Sequence, residues 1–236
     1  MKYILLLIIG FSVSSLVSAQ IDNPLNQDQD TISKFRIFDK LYLQLEGGSQ
    51  VLFSQDAGIL ENKDRLTPHV ALSLGTWLSP VFGAEIKAQG ATLNGFTSLS
   101  SLPILDNDPV RDYVTIRPDG SYRHYIRYVN VSMNLFVSTA NLLAGKEKQH
   151  WFDILPSAGV GLMHVFDYKG IPAKNTMSYN FGLSATCRIS PRLMFVLNGN
   201  GIMLPNEFES RDAGDNNYDW IASVDAGLIW YLGRGQ

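Results

Sequence analysis

Eight stretches of this chain alternate apolar and polar side chains with a period of two, and each is about as long as a strand tilted across a bilayer. They fall at residues 41-54, 66-78, 82-93, 124-138, 152-166, 175-189, 193-203 and 220-232. Period two is the repeat of a β-strand whose two faces meet different surroundings. In the first stretch Leu41, Leu43 and Leu45 share one parity, and Tyr42, Gln44 and Glu46 the other. In the third, Phe82, Ala84, Ile86 and Ala88 oppose Gly83, Glu85, Lys87 and Gln89. The fourth sets Val129, Val131, Met133, Leu135 and Val137 against Tyr128, Asn130, Ser132 and Asn134. The sixth sets Tyr179, Phe181, Leu183, Ala185, Cys187 and Ile189 against Asn180, Gly182, Ser184, Thr186 and Arg188.

Alternation alone fits two architectures. A soluble sandwich turns its apolar rows inward and its charges to water, whereas a membrane barrel turns the apolar rows to lipid and the polar rows to its lumen. Glu46, Glu85, Lys87, Arg188 and Asp225 all take the parity opposite the apolar row, which a lipid-facing wall requires. Three further features favour the barrel. The chain opens with Met1-Lys2-Tyr3, an apolar run from Ile4 to Phe11, and Val17-Ser18-Ala19 before Gln20, the pattern of a signal peptide cleaved after Ala19. That apolar run is shorter than the roughly 20 residues of a membrane-spanning helix. Trp77, Trp151, Phe166, Trp220, Trp230 and Tyr231 stand at strand ends, where an interfacial girdle of aromatics is expected.

The third feature is the spacing between strands. Connections one, three, five and seven cover 55-65, 94-123, 167-174 and 204-219, while Ser79-Pro80-Val81 and Ser190-Pro191-Arg192 mark tight turns. Long loops on one side and short turns on the other are the arrangement of bacterial outer-membrane barrels, with the turns in the periplasm. Residues 139-151 form a longer connection, read as an extended periplasmic turn. The fold expected is therefore all-β, an eight-stranded antiparallel up-and-down transmembrane β-barrel, integral to the outer membrane. Its parts are a signal peptide over 1-19, a polar periplasmic linker over 20-40, the barrel over 41-232 and a tail over 233-236.

Composition narrows the function classes. Charged residues make up 17% of the chain, below the roughly 25% usual in soluble domains, and after the signal no apolar run is long enough for a transmembrane helix. A net charge of -3 gives no basic field, so nucleic acid is not an expected partner. Cys187 is the single cysteine, so no intrachain disulfide forms. With Gln20 as first mature residue there is no cysteine for lipid attachment.

The last strand carries a resemblance. Asp225, Gly227, Trp230 and Leu232 match the C-terminal assembly signal of outer-membrane barrels, which implies the barrel-assembly machinery as a partner. Leu41-Tyr42-Leu43 leading to Glu46-Gly47-Gly48, Leu78-Ser79-Pro80-Val81-Phe82-Gly83, Val129-Asn130-Val131-Ser132-Met133-Asn134-Leu135, and Ile154-Leu155-Pro156-Ser157-Ala158-Gly159-Val160-Gly161 follow in order. Together they resemble the N-terminal eight-stranded barrel of the outer-membrane protein A family, in its Bacteroidetes-type form, over about residues 40 to 232. Members of that family often continue into a peptidoglycan-binding domain; with the sequence stopping at Gln236, none is expected here.

An eight-stranded barrel has an interior that side chains can fill, so a wide channel is not expected. Glu46, Glu85, Lys87 and Arg188 are the candidates for a lumenal charge network, because a narrow and water-poor lumen penalises unmatched charge. An acyl hydrolase would need a nucleophile beside a histidine. His124 and His164 lie near loop ends, but neither has a serine two positions away on its face, so no catalytic residues are assigned. Asp215, Asn217 and Asp219 are spaced like the start of a calcium loop without its glycine and closing acid, and Asp106-Asn107-Asp108 is similarly incomplete; no metal and no cofactor is expected.

The long connection 94-123 mixes Leu99, Leu102, Ile104 and Leu105 with charges and is the candidate extracellular contact surface for a host or envelope protein. Outer-membrane lipid and lipopolysaccharide are the remaining expected partners. The function expected is non-enzymatic, a contribution to envelope structure and surface interaction. A small-solute pore, a lipid-modifying enzyme, and an accessory barrel of an envelope assembly or secretion system are the alternatives.

Overall fold

A computed structural model describes residues 40–53, 65–97, 111–116, 118, 122–144, 150–205 and 218–233. The expected signal peptide, most of the linker, the end of the tail and much of the loops at 55-65, 94-123 and 204-219 lie outside the described residues.

The strands are β1 (Leu41–Phe53), β2 (Thr67–Trp77), β3 (Phe82–Thr97), β4 (Tyr122–Val137), β5 (Phe152–Val165), β6 (Lys174–Ser190), β7 (Leu193–Pro205) and β8 (Tyr218–Tyr231). Each pairs antiparallel with its sequence neighbours, and β1 also pairs with β8, closing the sheet into a barrel. Closure leaves no edge strand, so every ladder has a partner on both sides. At the closing seam Gly227 lies opposite Glu46, and a Cβ on Gly227 would meet the Leu45 carbonyl.

The turn ends are fixed by local chemistry. The Ser79 hydroxyl accepts from the Val81 and Phe82 amides at 3.2 and 2.9 Å, which tightens the β2 to β3 hairpin around Pro80. Between β4 and β5 the expected extended turn contains instead a short helix, α1 (Thr139–Ala144). Ser138 caps it by accepting from the Asn141 amide at 3.0 Å, and Asp153 accepts from the Ala140 amide at 2.9 Å. Sequence reasoning missed α1 because six residues are too few to show a helical period.

Parity decides which side chains leave the wall. Leu43, Leu45, Val70, Leu72, Leu74, Ile86, Val131, Met133, Leu135, Leu183, Leu197, Val224 and Leu228 are exposed on the outside. Gln44, Glu46, Lys87, Asn130, Asn134, Asn180, Asn198 and Asp225 are buried on the inside. Trp151, Phe166, Trp220 and Trp230 are exposed, as a girdle requires.

Two expected girdle residues do not belong to it. Trp77 and Tyr231 are buried, and the Trp77 indole N–H donates to the Tyr231 hydroxyl at 3.1 Å inside the lumen. Trp77 shares the parity of Ser73, and Tyr231 that of Asp225, so both follow the lumenal row. Their position at strand ends suggested an interface; their parity overrides it.

Candidate functional site: the lumen

The interior is stacked in three layers. At the loop end Leu52, Leu93, Tyr122, Ile126, Tyr128, Met163, Val165, Ile171, Ile202, Leu204 and Ile221 form one buried apolar cluster, with Val114 of the β3 to β4 connection packed against it. At the turn end Tyr42, Trp77, Phe136, Val196, Ile229 and Tyr231 form another. Polar side chains fill the space between. The sequence reading set Tyr42 and Tyr128 on the inward rows but no aliphatic side chain beside them, so the aliphatic members of both layers correct it.

The polar layer is held by hydrogen-bonded networks, the largest of them built on the Lys87–Glu46 pair. Lys87 Nζ lies 2.6 Å from Glu46 Oε2, with both side chains almost wholly buried. The Asn198 amide donates to Glu46 Oε1 at 2.8 Å and accepts from Ser184 at 3.1 Å. Lys87 also donates to Asn200 at 3.4 Å, and Asn200 donates to Asp225 at 3.1 Å. Asp225 then accepts from Ser223 at 2.8 Å and lies 2.6 Å from His69 Nδ1. These contacts tie β1, β2, β3, β6, β7 and β8 together across the lumen. A parallel chain links Gln89, Asn130, Asn180 and Ser178 through bonds of 2.7 to 3.3 Å.

The four residues assigned to a charge network are not all in one place. Glu46 and Lys87 pair directly. Glu85 accepts from the Tyr42 hydroxyl at 3.3 Å and from Asn134 at 3.1 Å, nearer the turn end. Arg188 stands apart, half-buried in the wall of a cavity of about 250 Å³ at the turn end, whose lining includes Glu85, Asp153, Trp77 and Tyr231. Sequence reasoning missed His69 as a lumenal partner, although its parity with Ala71 and Ser73 carried that signal. It also missed the asparagines, which it counted only as polar.

Of the four assembly-signal residues, Asp225 faces the lumen with Gly227, while Trp230 and Leu232 are exposed. His124 is buried inside against Tyr122, with ring centroids 6.2 Å apart. His164 lies 2.7 Å from the Asn175 side chain and meets Phe166 edge to face, at 4.7 Å.

No family model matches the chain. Aligned over 245 residues, it is 21% identical to outer membrane protein 40 of Porphyromonas gingivalis, an alignment covering 100% of this chain. The chain spans 58% of the length of that curated relative. The protein is an integral outer-membrane β-barrel. The outer-membrane barrel is similar to neisserial surface protein A, at 8% identity and a TM-score of 0.49, over 81% of this chain and 97% of that one. It is likewise similar to OprG of Pseudomonas aeruginosa, at 10% identity and a TM-score of 0.48, over 82% of this chain and 96% of that one. The N-terminal β-barrel domain of Pseudomonas aeruginosa OprF matches at 9% identity and a TM-score of 0.42, over 80% of this chain and 97% of that one. The eight strands of this chain close in sequence order, as the resemblance to the outer-membrane protein A barrel implies.

Proposed function

We propose that this barrel is a non-enzymatic, non-conducting component of the outer membrane that contributes to envelope structure and offers its extracellular loops as a contact surface. The observation that carries this reading is the filled lumen. At the loop end the lumen is filled by the apolar cluster of Leu52, Leu93, Ile126, Leu204 and Ile221, with His124 and Asp219 buried on the same inward rows. Apolar constrictions of this kind exclude water and ions without any moving gate. Below it the Glu46 and Lys87 charges satisfy each other, so the polar layer is bonded side chain rather than open channel.

The non-enzymatic reading draws support from His164, which contacts Asn175 and Phe166 in the manner of an interfacial histidine beside aromatics. The surface role falls to the connection between β3 and β4. Only part of it is described, and there Val114 packs on the loop-end cluster. Removing residues 98 to 121 would leave β3 and β4 whole. Cells carrying that deletion are expected to display a folded barrel and to lose adhesion or phage sensitivity that the intact barrel confers. Unchanged adhesion and phage sensitivity would remove the contact role.

A further inference from the structure

Arg127 sits on the lipid side of β4 with no carboxylate to pair with among the described residues. Its row is the outward one, shared with Val131, Met133 and Leu135, and its side chain is exposed. A cation on this face is costly near the bilayer midplane and tolerated only near an interface. The depth is interfacial: the Arg127 carbonyl accepts from the amide of Phe166, one of the exposed girdle aromatics at the loop end.

A second cation is held beside it. The connection from β5 to β6 folds into a tight turn in which Tyr168 and Ile171 exchange backbone hydrogen bonds at 3.0 and 3.1 Å. Lys169 and Gly170 occupy its centre with φ of 50° and 83°. The turn lays the Tyr168 ring 3.6 Å from the Arg127 guanidinium carbon and brings Lys169 Nζ to 4.5 Å from the Tyr125 ring and 5.4 Å from the Tyr168 ring. Asp167 is exposed in the same connection and forms an ion pair with neither cation.

Ring contact of this kind orients a guanidinium without consuming its donors. An arginine whose face lies on an aromatic keeps its in-plane N–H groups directed outward, in the fork that fits two oxygens of a phosphate. Arg65 at the same rim differs: it lies 5.1 Å from the Phe53 ring but donates to the Leu52 carbonyl at 3.1 Å, tying the approach to β2 onto β1. Arg127 has no such bond to spend its donors on among the described residues.

We propose that Arg127 and Lys169, set by Tyr168 and Tyr125, form a clamp for the phosphate of an outer-leaflet glycolipid. The ligand is a lipid phosphate rather than a soluble one because the clamp is on the outward face of the barrel, level with the aromatic girdle. Acyl chains below that level would lie along the outward apolar rows of β4 and β5, including Val131, Leu162 and Val160.

The test uses the refolded full chain in neutral-detergent micelles, titrated with phosphorylated lipid A and with the same lipid A after enzymatic dephosphorylation. The intact protein is expected to bind the phosphorylated lipid tighter by roughly tenfold or more, and the Arg127→Gln/Lys169→Gln double variant to bind both lipids alike. Arg127→Lys keeps the charge but loses the fork, and should retain part of the preference. Heat-modifiable gel migration verifies that each variant is folded. If the double variant does not fold, Arg127→Lys alone carries the test through its reduced preference. Equal binding of the two lipids by the intact protein, or a preference undiminished in the substituted one, would overturn the clamp. Complete displacement of the lipid by millimolar inorganic phosphate would assign the site to free phosphate and overturn the lipid assignment.

Discussion

Removing the Lys87 ammonium would leave Glu46 charged, buried and short of its closest partner, and breaking such a pair is far costlier than never building it. Lys87→Met is expected to destabilise the refolded barrel by about 3 to 5 kcal/mol in urea titration, and adding Glu46→Gln to recover most of that loss. An equal loss in single and double variants would show that the pair does not act as a unit. A smaller effect belongs to Tyr231→Phe, which deletes the hydroxyl that accepts from the Trp77 indole while keeping the ring; about 1 to 3 kcal/mol is expected from the same titration. Gly75 is a packing position, because a Cβ there would run into the Tyr42 ring, and Gly75→Ala should cost about 1 to 3 kcal/mol. At this scale the sequence was only partly legible. That Glu46 and Lys87 face inward follows from parity, but that they meet each other, and that Asp225 meets His69, depends on stagger across strands that are not neighbours in the chain.

Single strands were the most legible level, because a wall between lipid and lumen imposes period two on every one of them. The ends of β3 and β4 at Thr97 and Tyr122 lie beyond the alternating stretches, since ladder pairing continues past the membrane where lipid no longer selects the outward face. Parity also settled what position could not, in the inward turn of Trp77 and Tyr231. It gives an element-scale prediction as well. Val131 and Ser132 are neighbours in β4 with the first exposed to lipid and the second buried. Val131→Arg is expected to lower stability by about 2 to 4 kcal/mol in lipid vesicles. An unchanged urea midpoint for the Val131→Arg barrel would place that row away from the hydrocarbon.

At the largest scale, the barrel of β1 to β8 is a closed wall around a filled interior, with apolar clusters at both ends of a hydrogen-bonded middle. Closure was legible in the sequence through the even number of alternating stretches and the alternation of long and short connections. The layering was not, because Leu52, Leu93, Ile202, Leu204 and Ile221 occupy the lumenal row yet read like any other apolar residue. On the proposed non-conducting reading, those residues close the loop end whether or not the charges beneath them are intact. Planar-bilayer recording of the refolded full chain tests this most directly. The filled lumen predicts a flat baseline with no discrete current steps at any moderate voltage. Reproducible unitary openings of constant size would contradict it.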